Sequence, residues 1–301
     1  PVRTTPAEQL LAAITSPFAS GDVSLRLTSL FFNDAQSGSF MRSLIYVDAR
    51  SLTFKEQADG SRKANMDVVA VTFGADGTIV DQRIIPETVA VRAEEQYQNI
   101  LKSGLIFGIN LPIKKAGAYQ LRVAVRDAAS ERVGSASQFI EVPRLDRNRL
   151  TLSGIYLASN QQASALAGRE NGARPALTST REDTTFGELD TESGPAVRRF
   201  QAGTVMDYGF EIYNVKLDRA TGKPQLQSQV RLFRDNQLVY TGRVIPIRVD
   251  AADASRVAAI GHLQLGTNLA PGQYLLQVIV IDQLAKQKQQ ATQQWIEFEI
   301  K

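Results

Sequence analysis

Gly117-Ala-Tyr119-Gln-Leu121-Arg-Val123-Ala-Val125-Arg-Asp127 returns later in the chain as Gly272-Gln-Tyr274-Leu-Leu276-Gln-Val278-Ile-Val280-Ile-Asp282. Each copy is a glycine, a tyrosine, a run with every second residue apolar, and an aspartate at the end. A period of two is the signature of a strand with one face on a core. Gly117 and Gly272 stand 155 positions apart, about half of the 301 residues. Arg83-Ile-Ile-Pro86 and Arg243-Val-Ile-Pro246 echo each other as well, in the same order and 160 positions apart. Two echoes at nearly equal offsets point to an internal duplication. The fold class they imply is all-β: two tandem immunoglobulin-like β-sandwiches.

The tyrosines carry the fold assignment. In immunoglobulin-like sandwiches a tyrosine near the start of the sixth strand turns its hydroxyl back onto upstream backbone, the tyrosine corner. The ring fills one end of the core while the hydroxyl satisfies a buried backbone group, which phenylalanine would leave unpaired. Tyr119 and Tyr274 are therefore assigned to structure, each with a glycine two residues before it for the entry turn. Leu121, Val123, Val125, Leu276, Val278 and Val280 are expected in the two cores, with Trp295 or its neighbours Ile296 and Phe298 filling the second.

Outward from these strands, residues 1–20 form a lead-in with a short helix. Thr5 stands as N-cap, Pro6 at the first helical position and Glu8 three residues after the cap, a capping-box pattern. Leu10, Leu11 and Ile14 form its apolar stripe, and Ser16-Pro17 ends it. The first sandwich spans 21–143, with strands expected at Val23–Leu30, Leu44–Asp48, Leu52–Phe54, Met66–Phe73, Thr78–Arg83, Leu105–Leu111, Tyr119–Val125 and Ser137–Val142. Gly74-Ala-Asp-Gly77 reads as a tight hairpin. Between Ala93 and Lys102 the period changes, Tyr97, Ile100 and Leu101 share one helical face, and Gly104 follows, so a short connecting helix is expected there.

Polar residues 144–149 read as a linker. The second sandwich spans 150–301, opening at Leu150–Leu157 and resuming at Thr204–Leu217, Gln229–Arg234 and Gln237–Tyr240. Asp235-Asn236 makes a hairpin turn, and the last strands fall near His262–Leu265, Tyr274–Ile281 and Gln294–Ile300. Residues 158–196 lack periodicity and read as one long loop.

The composition is that of a globular chain: 43% hydrophobic, 22% charged, net charge +3. Basic residues are scattered along strands and form no block, so no nucleic-acid partner is expected. No apolar run reaches the ~18 residues of a membrane span. The chain begins at Pro1 with no signal-peptide pattern, and is expected to be a processed or excised piece of a longer protein. With no cysteine, disulfides, thiol nucleophiles and thiolate metal sites are excluded.

Few residues propose chemistry. His262 is the only histidine; without a serine elbow or P-loop pattern elsewhere it reads as a strand-surface residue, and the chain reads as no enzyme. Glu182, Asp183, Glu188, Asp190 and Glu192 cluster in the long loop, and the oxygen ligands of Asp183, Glu188 and Asp190 make them candidate calcium ligands. Their spacing matches no EF-hand, and Arg181, Arg198 and Arg199 lie close by in sequence. Asp250 and Asp253 form a second acidic turn. No cofactor is expected.

Several stretches carry a family resemblance: Thr5-Pro-Ala-Glu-Gln-Leu10, Ser16-Pro-Phe18 with Gly21-Asp22-Val23, and Tyr46-Val-Asp48-Ala-Arg50 with Leu52-Thr-Phe54. The run Pro112–Ser130 and then Gly134–Pro143 extend it. Over roughly 5–157 the chain resembles the C-terminal region of von Willebrand factor A-related acidobacterial proteins, secreted bacterial proteins in which an exported A-type domain precedes this region. The Asp-x-Ser-x-Ser adhesion motif of that A domain occurs nowhere here, so no metal-site residue carries over. The resemblance implies an extracytoplasmic setting, secreted or at the cell surface, and a role in adhesion or scaffolding with a protein partner. Two other readings stand beside it: a self-assembling subunit of an extracellular polymer or surface layer, and a carbohydrate-binding accessory module with a glycan ligand.

Overall fold

A computed structural model describes residues 4–34, 37–145, 149–159, 183–186, 191–249, 256–286 and 290–301. In chain order the elements are α1 (Pro6–Thr15), β1 (Leu25–Asp34), β2 (Gly38–Val47), β3 (Lys55–Glu56), β4 (Arg62–Gly74), β5 (Ile79–Val91), α2 (Glu94–Ser103), β6 (Leu105–Pro112), β7 (Gly117–Asp127) and β8 (Val133–Val142). The second half continues with β9 (Thr151–Leu152), β10 (Tyr156–Ser159), β11 (Asp183–Phe186), β12 (Arg199–Phe200), β13 (Val205–Tyr213), β14 (Leu226–Arg234), β15 (Gln237–Thr241), β16 (Ile245–Pro246), β17 (Arg256–Gln264), β18 (Gly272–Asp282) and β19 (Ala291–Ile300). The fold is all-β, in tandem immunoglobulin-like sandwiches, with two short helices.

Two compact units emerge. The first holds residues 1–29, 40–142 and 180–191; the second holds 30–39, 143–179 and 192–301. The main division falls between Val142 and Pro143, and two segments do not follow chain order. Leu30–Ser39, the tip of the β1–β2 hairpin, groups with the second unit. Thr180–Thr191 groups with the first.

The first unit has one sheet ordered β3-β4-β7-β8, with β5 on the other edge of β4, and a second ordered β1-β2-β6-β11. The second unit has a sheet ordered β10-β13-β17, with β9 also on β13, and one ordered β12-β19-β18-β14-β15, with β16 also on β14. β12 runs parallel to β19. In β7, Leu121, Val123 and Val125 are fully buried, as are Leu276, Val278 and Val280 in β18. Ile296 and Phe298 fill the second core; Trp295 is 39% exposed and lies against Phe233, ring centroids 5.3 Å apart.

The duplication is visible in strand register. Asp67 of β4 sits between Pro86 of β5 and Arg126 of β7. Gln227 of β14 sits between Pro246 of β16 and Ile281 of β18. The same three-strand row thus recurs, with the echoed prolines and the echoed strands in equivalent places. Proline gives no ladder donor and belongs where its missing N–H would face away from the neighbouring strand. Both copies carry it on the outermost strand.

Helix α1 has the expected capping box: the Glu8 amide donates to Thr5 Oγ1 at 3.3 Å, and the Thr5 amide to Glu8 Oε2 at 2.7 Å. Its buried Leu10 and Ile14 pack with Val69, Val71 and Ala124 on the β4–β7 face opposite the core residues of those strands. Arg122 donates to the Ile14 carbonyl at 2.9 Å, closing the helix C-terminus. At the Gly74–Gly77 hairpin, Gly77 takes the left-handed conformation (φ 77°), and at the β14–β15 hairpin Asp235 and Asn236 take it without glycine (φ 49° and 61°).

Two expectations are corrected. Leu52–Phe54 is not a strand: Asp48 accepts the Arg50 amide at 3.0 Å and caps a 3-10 turn at Ala49–Ser51, so pairing begins only at β3. The segment 158–196 is not wholly a loop. It contributes β11, whose backbone pairs with β6 from Asp183 opposite Gly108 to Phe186 opposite Leu105. An edge strand is held by main-chain hydrogen bonds and needs no alternating pattern, so periodicity did not reveal it.

Candidate functional site

The two tyrosines close local loops. Tyr119 Oη donates to the Lys115 carbonyl at 2.7 Å, and Tyr274 Oη to the Ala270 carbonyl at 2.9 Å. Both hydroxyls reach four residues upstream, and Gly117 and Gly272 turn the chain with φ of 150° and 140°. The Arg234 guanidinium lies 5.6 Å from the Tyr274 ring and donates to the Pro271 carbonyl at 3.1 Å.

The aspartates ending the repeated motif are fully buried, which the sequence showed only as an acidic end to a strand. Asp282 accepts the Lys216 amide at 2.8 Å and the Leu284 amide at 2.9 Å. Asp127 accepts the Ser130 amide at 3.1 Å. Burial pushes the Asp127 carboxyl up, but hydrogen bonds from Ser130 and Thr53 outweigh it and hold its pKa below the ordinary 3.8. Thr53 follows β2 and Lys216 follows β13, so each aspartate is tied to the chain leaving an equivalent strand. Their role is structural.

A polar cluster lies on β13 and β17 within the second unit. Arg256 reaches Asp34 Oδ2 at 3.4 Å and also bonds Glu211. Tyr213 Oη donates to Glu211 Oε2 at 2.6 Å and accepts the Asn33 amide at 2.9 Å. Ser153 Oγ accepts the Glu211 amide at 2.8 Å. Asp34, Glu211 and Tyr213 are all buried. One arginine between two carboxylates, with further donors to Glu211, forms a buried network that ties the hairpin tip to this sheet.

His262 Nδ1 lies 2.5 Å from Oδ1 of buried Asp207, across the β13–β17 pair, while the imidazole itself is 66% exposed. An aspartate that orients a histidine makes two of the three members of a hydrolytic triad; among the described residues no hydroxyl bonds the other ring nitrogen. Nearby, Tyr156 lies over Gly209, its cross-strand partner, so closely that a Cβ there would stand 2.1 Å from the phenol. Burial, then the Asp207 and Glu211 carboxylates, push the Tyr156 phenol up, keeping it protonated.

Among the described residues no group of three or more His, Asp or Glu side chains is placed to hold a metal ion. Asp183 belongs to β11 by its backbone. Glu182, Glu188, Asp190, Asp250 and Asp253 lie outside the described residues. Glu192 pairs with Arg199 at 3.6 Å and with Lys301.

The surface feature that stands out is apolar. Of the fourteen exposed large hydrophobic side chains among the described residues, eight lie on β5, β15, β16 or the link between the last two: Ile79, Val80 and Ile84, then Leu238 to Tyr240, Val244 and Ile245. These are equivalent outermost strands in the two repeats. The sequence conveys the strands and the echo but not the exposure, because strand order decides which edge a neighbour covers and the pattern along one strand does not state it.

The class defined by this architecture is a tandem immunoglobulin-like β-sandwich. No protein-family model matches the chain, and no curated protein matches it. Among solved structures it is similar to a chimeric titin Z1Z2-Z1Z2 tandem functionalized with a GRGDS exogenous peptide from fibronectin. Identity is 12% and the TM-score 0.20, over 88% of this chain and 92% of that one. A likeness of that degree says nothing about ligand or activity.

Proposed function

We propose that the chain is a non-catalytic adhesion or scaffold module that works outside the cytoplasm and meets a protein partner through the outermost strands of its two repeats. One observation carries this: exposed apolar side chains concentrate on β5 and on β15–β16, equivalent positions in both copies. Apolar side chains held in water beside an open strand edge are what a protein partner covers. The buried Asp282, Glu211, Tyr119, Tyr213 and Tyr274 side chains, by contrast, are engaged in structural hydrogen bonds. The extracytoplasmic setting is supported by the resemblance of residues 5–157 to the secreted von Willebrand factor A-related proteins.

The test is binding of labelled chain to intact cells of the organism that makes it. Saturable binding is expected, with loss in a variant carrying Ile79→Ser, Ile84→Ser, Leu238→Ser and Val244→Ser. Equal binding by the variant, or none by either, contradicts the proposal. Glycan binding is the second reading; its aromatic candidate is Trp295 beside Phe233, and loss of binding in Trp295→Ala alone would favour it.

A further inference from the structure

We infer that β5 pairs, antiparallel and about a two-fold axis at Gln82, with β5 of a second copy of this chain. The inference rests on the proposed function's reading of this edge as a binding surface and names one partner for it. β5 pairs with β4 on one side, and no described strand occupies the other. Ile79, Val80 and Ile84 are 60%, 46% and 67% exposed.

The axis follows from parity and charge. Pro86 has its missing N–H on the side away from β4, so the even-numbered residues Gln82 and Ile84 also turn their amides to the open edge. A residue on the axis must do so to exchange hydrogen bonds with its own copy. With Gln82 on the axis, Asp81 faces Arg83, Val80 faces Ile84 and Ile79 faces Ile85. Each pair occurs twice, as an isologous contact requires. Moving the axis to Ile84 sets Asp81 against Glu87 and leaves Arg83 facing Ile85. Moving it to Val80 sets Arg83 against Gly77.

The limits of the contact fit as well. A register shift between Thr72 and Phe73 leaves Val80 with no opposite residue on β4, so its backbone is available to the outer edge. Pro86 falls opposite Thr78 and ends the ladder, confining pairing to 79–85. Charges and prolines usually guard an open edge; here the charges are mutually complementary and the proline sets the length. Arg83 and Asp81 already lie 3.5 Å apart along one strand, and the second copy adds the cross-strand partners of both.

Sedimentation equilibrium on the whole chain tests this, with charge variants and a single introduced cysteine. The expected mass rises with concentration from 33.0 kDa toward twice that value. Arg83→Asp sets carboxylates opposite each other at two places and weakens association by about tenfold or more. The double variant Asp81→Arg, Arg83→Asp restores it, which a folding defect would not. Gln82→Cys forms a disulfide-linked dimer on mild oxidation, since hydrogen-bonded antiparallel partners stand about 5.5 Å apart at Cα; Ile84→Cys, whose partner is Val80, does not. A mass fixed at that of one chain overturns the inference, as does a dimer insensitive to the charge changes. A chain that stays monomeric yet binds cells through these edges overturns this inference and leaves the proposed function standing.

Discussion

Tyr119 and Tyr274 each commit a hydroxyl to a carbonyl four residues upstream, so removing that oxygen has a definite cost. Tyr119→Phe and Tyr274→Phe are each expected to lower unfolding free energy by about 1–2 kcal/mol, read by urea denaturation. Gly209→Ala drives a methyl into the Tyr156 ring and is expected to cost about 1–3 kcal/mol. Asp127 gives a pH signature. Its folded pKa is depressed, so its contribution is present above the unfolded value near 3.8 and is lost as pH falls through the folded one. Stability should therefore drop on acidification below about pH 4, and Asp127→Asn should flatten that drop. At this scale the tyrosines were legible in sequence because a phenol at the start of an alternating strand has one structural use. The burial of Asp127 was not, because an acidic residue ending a strand is as often solvated. Trp295 misleads for a related reason: it occupies the outward position beside Ile296, and a large ring suggests core whichever face it takes.

Helix α1 and strand β5 show what patterns convey about elements. The capping box and the Leu10–Ile14 spacing located α1, and the structure adds where it lands, on Val69, Val71 and Ala124. Leu10→Ala should cost about 2–5 kcal/mol by opening a cavity in that contact, again by denaturant unfolding. β11 was illegible because its pairing with β6 is a property of two backbones distant in sequence. The exposure of β5 was illegible because the sequence does not say which side of β4 carries β7.

For the whole molecule, the duplication was legible from two echoes, and register gives it a physical form: rows through Pro86, Asp67 and Arg126, and through Pro246, Gln227 and Ile281. The five-residue difference between the two offsets falls between β5 and β7, the interval that holds α2. The exchange of Leu30–Ser39 and Thr180–Thr191 between the two units could not be read from the chain, since composition changes only near the linker. The proposed function rests on the same equivalence, because both repeats turn apolar side chains outward on their outermost strands. The most direct measurement is amide hydrogen exchange on the chain alone and with cell-surface material from the producing organism. Slowed exchange confined to 79–85 and 237–245 is the expected result. Unchanged exchange there, with slowing elsewhere, would contradict the assignment of these strands as the working surface.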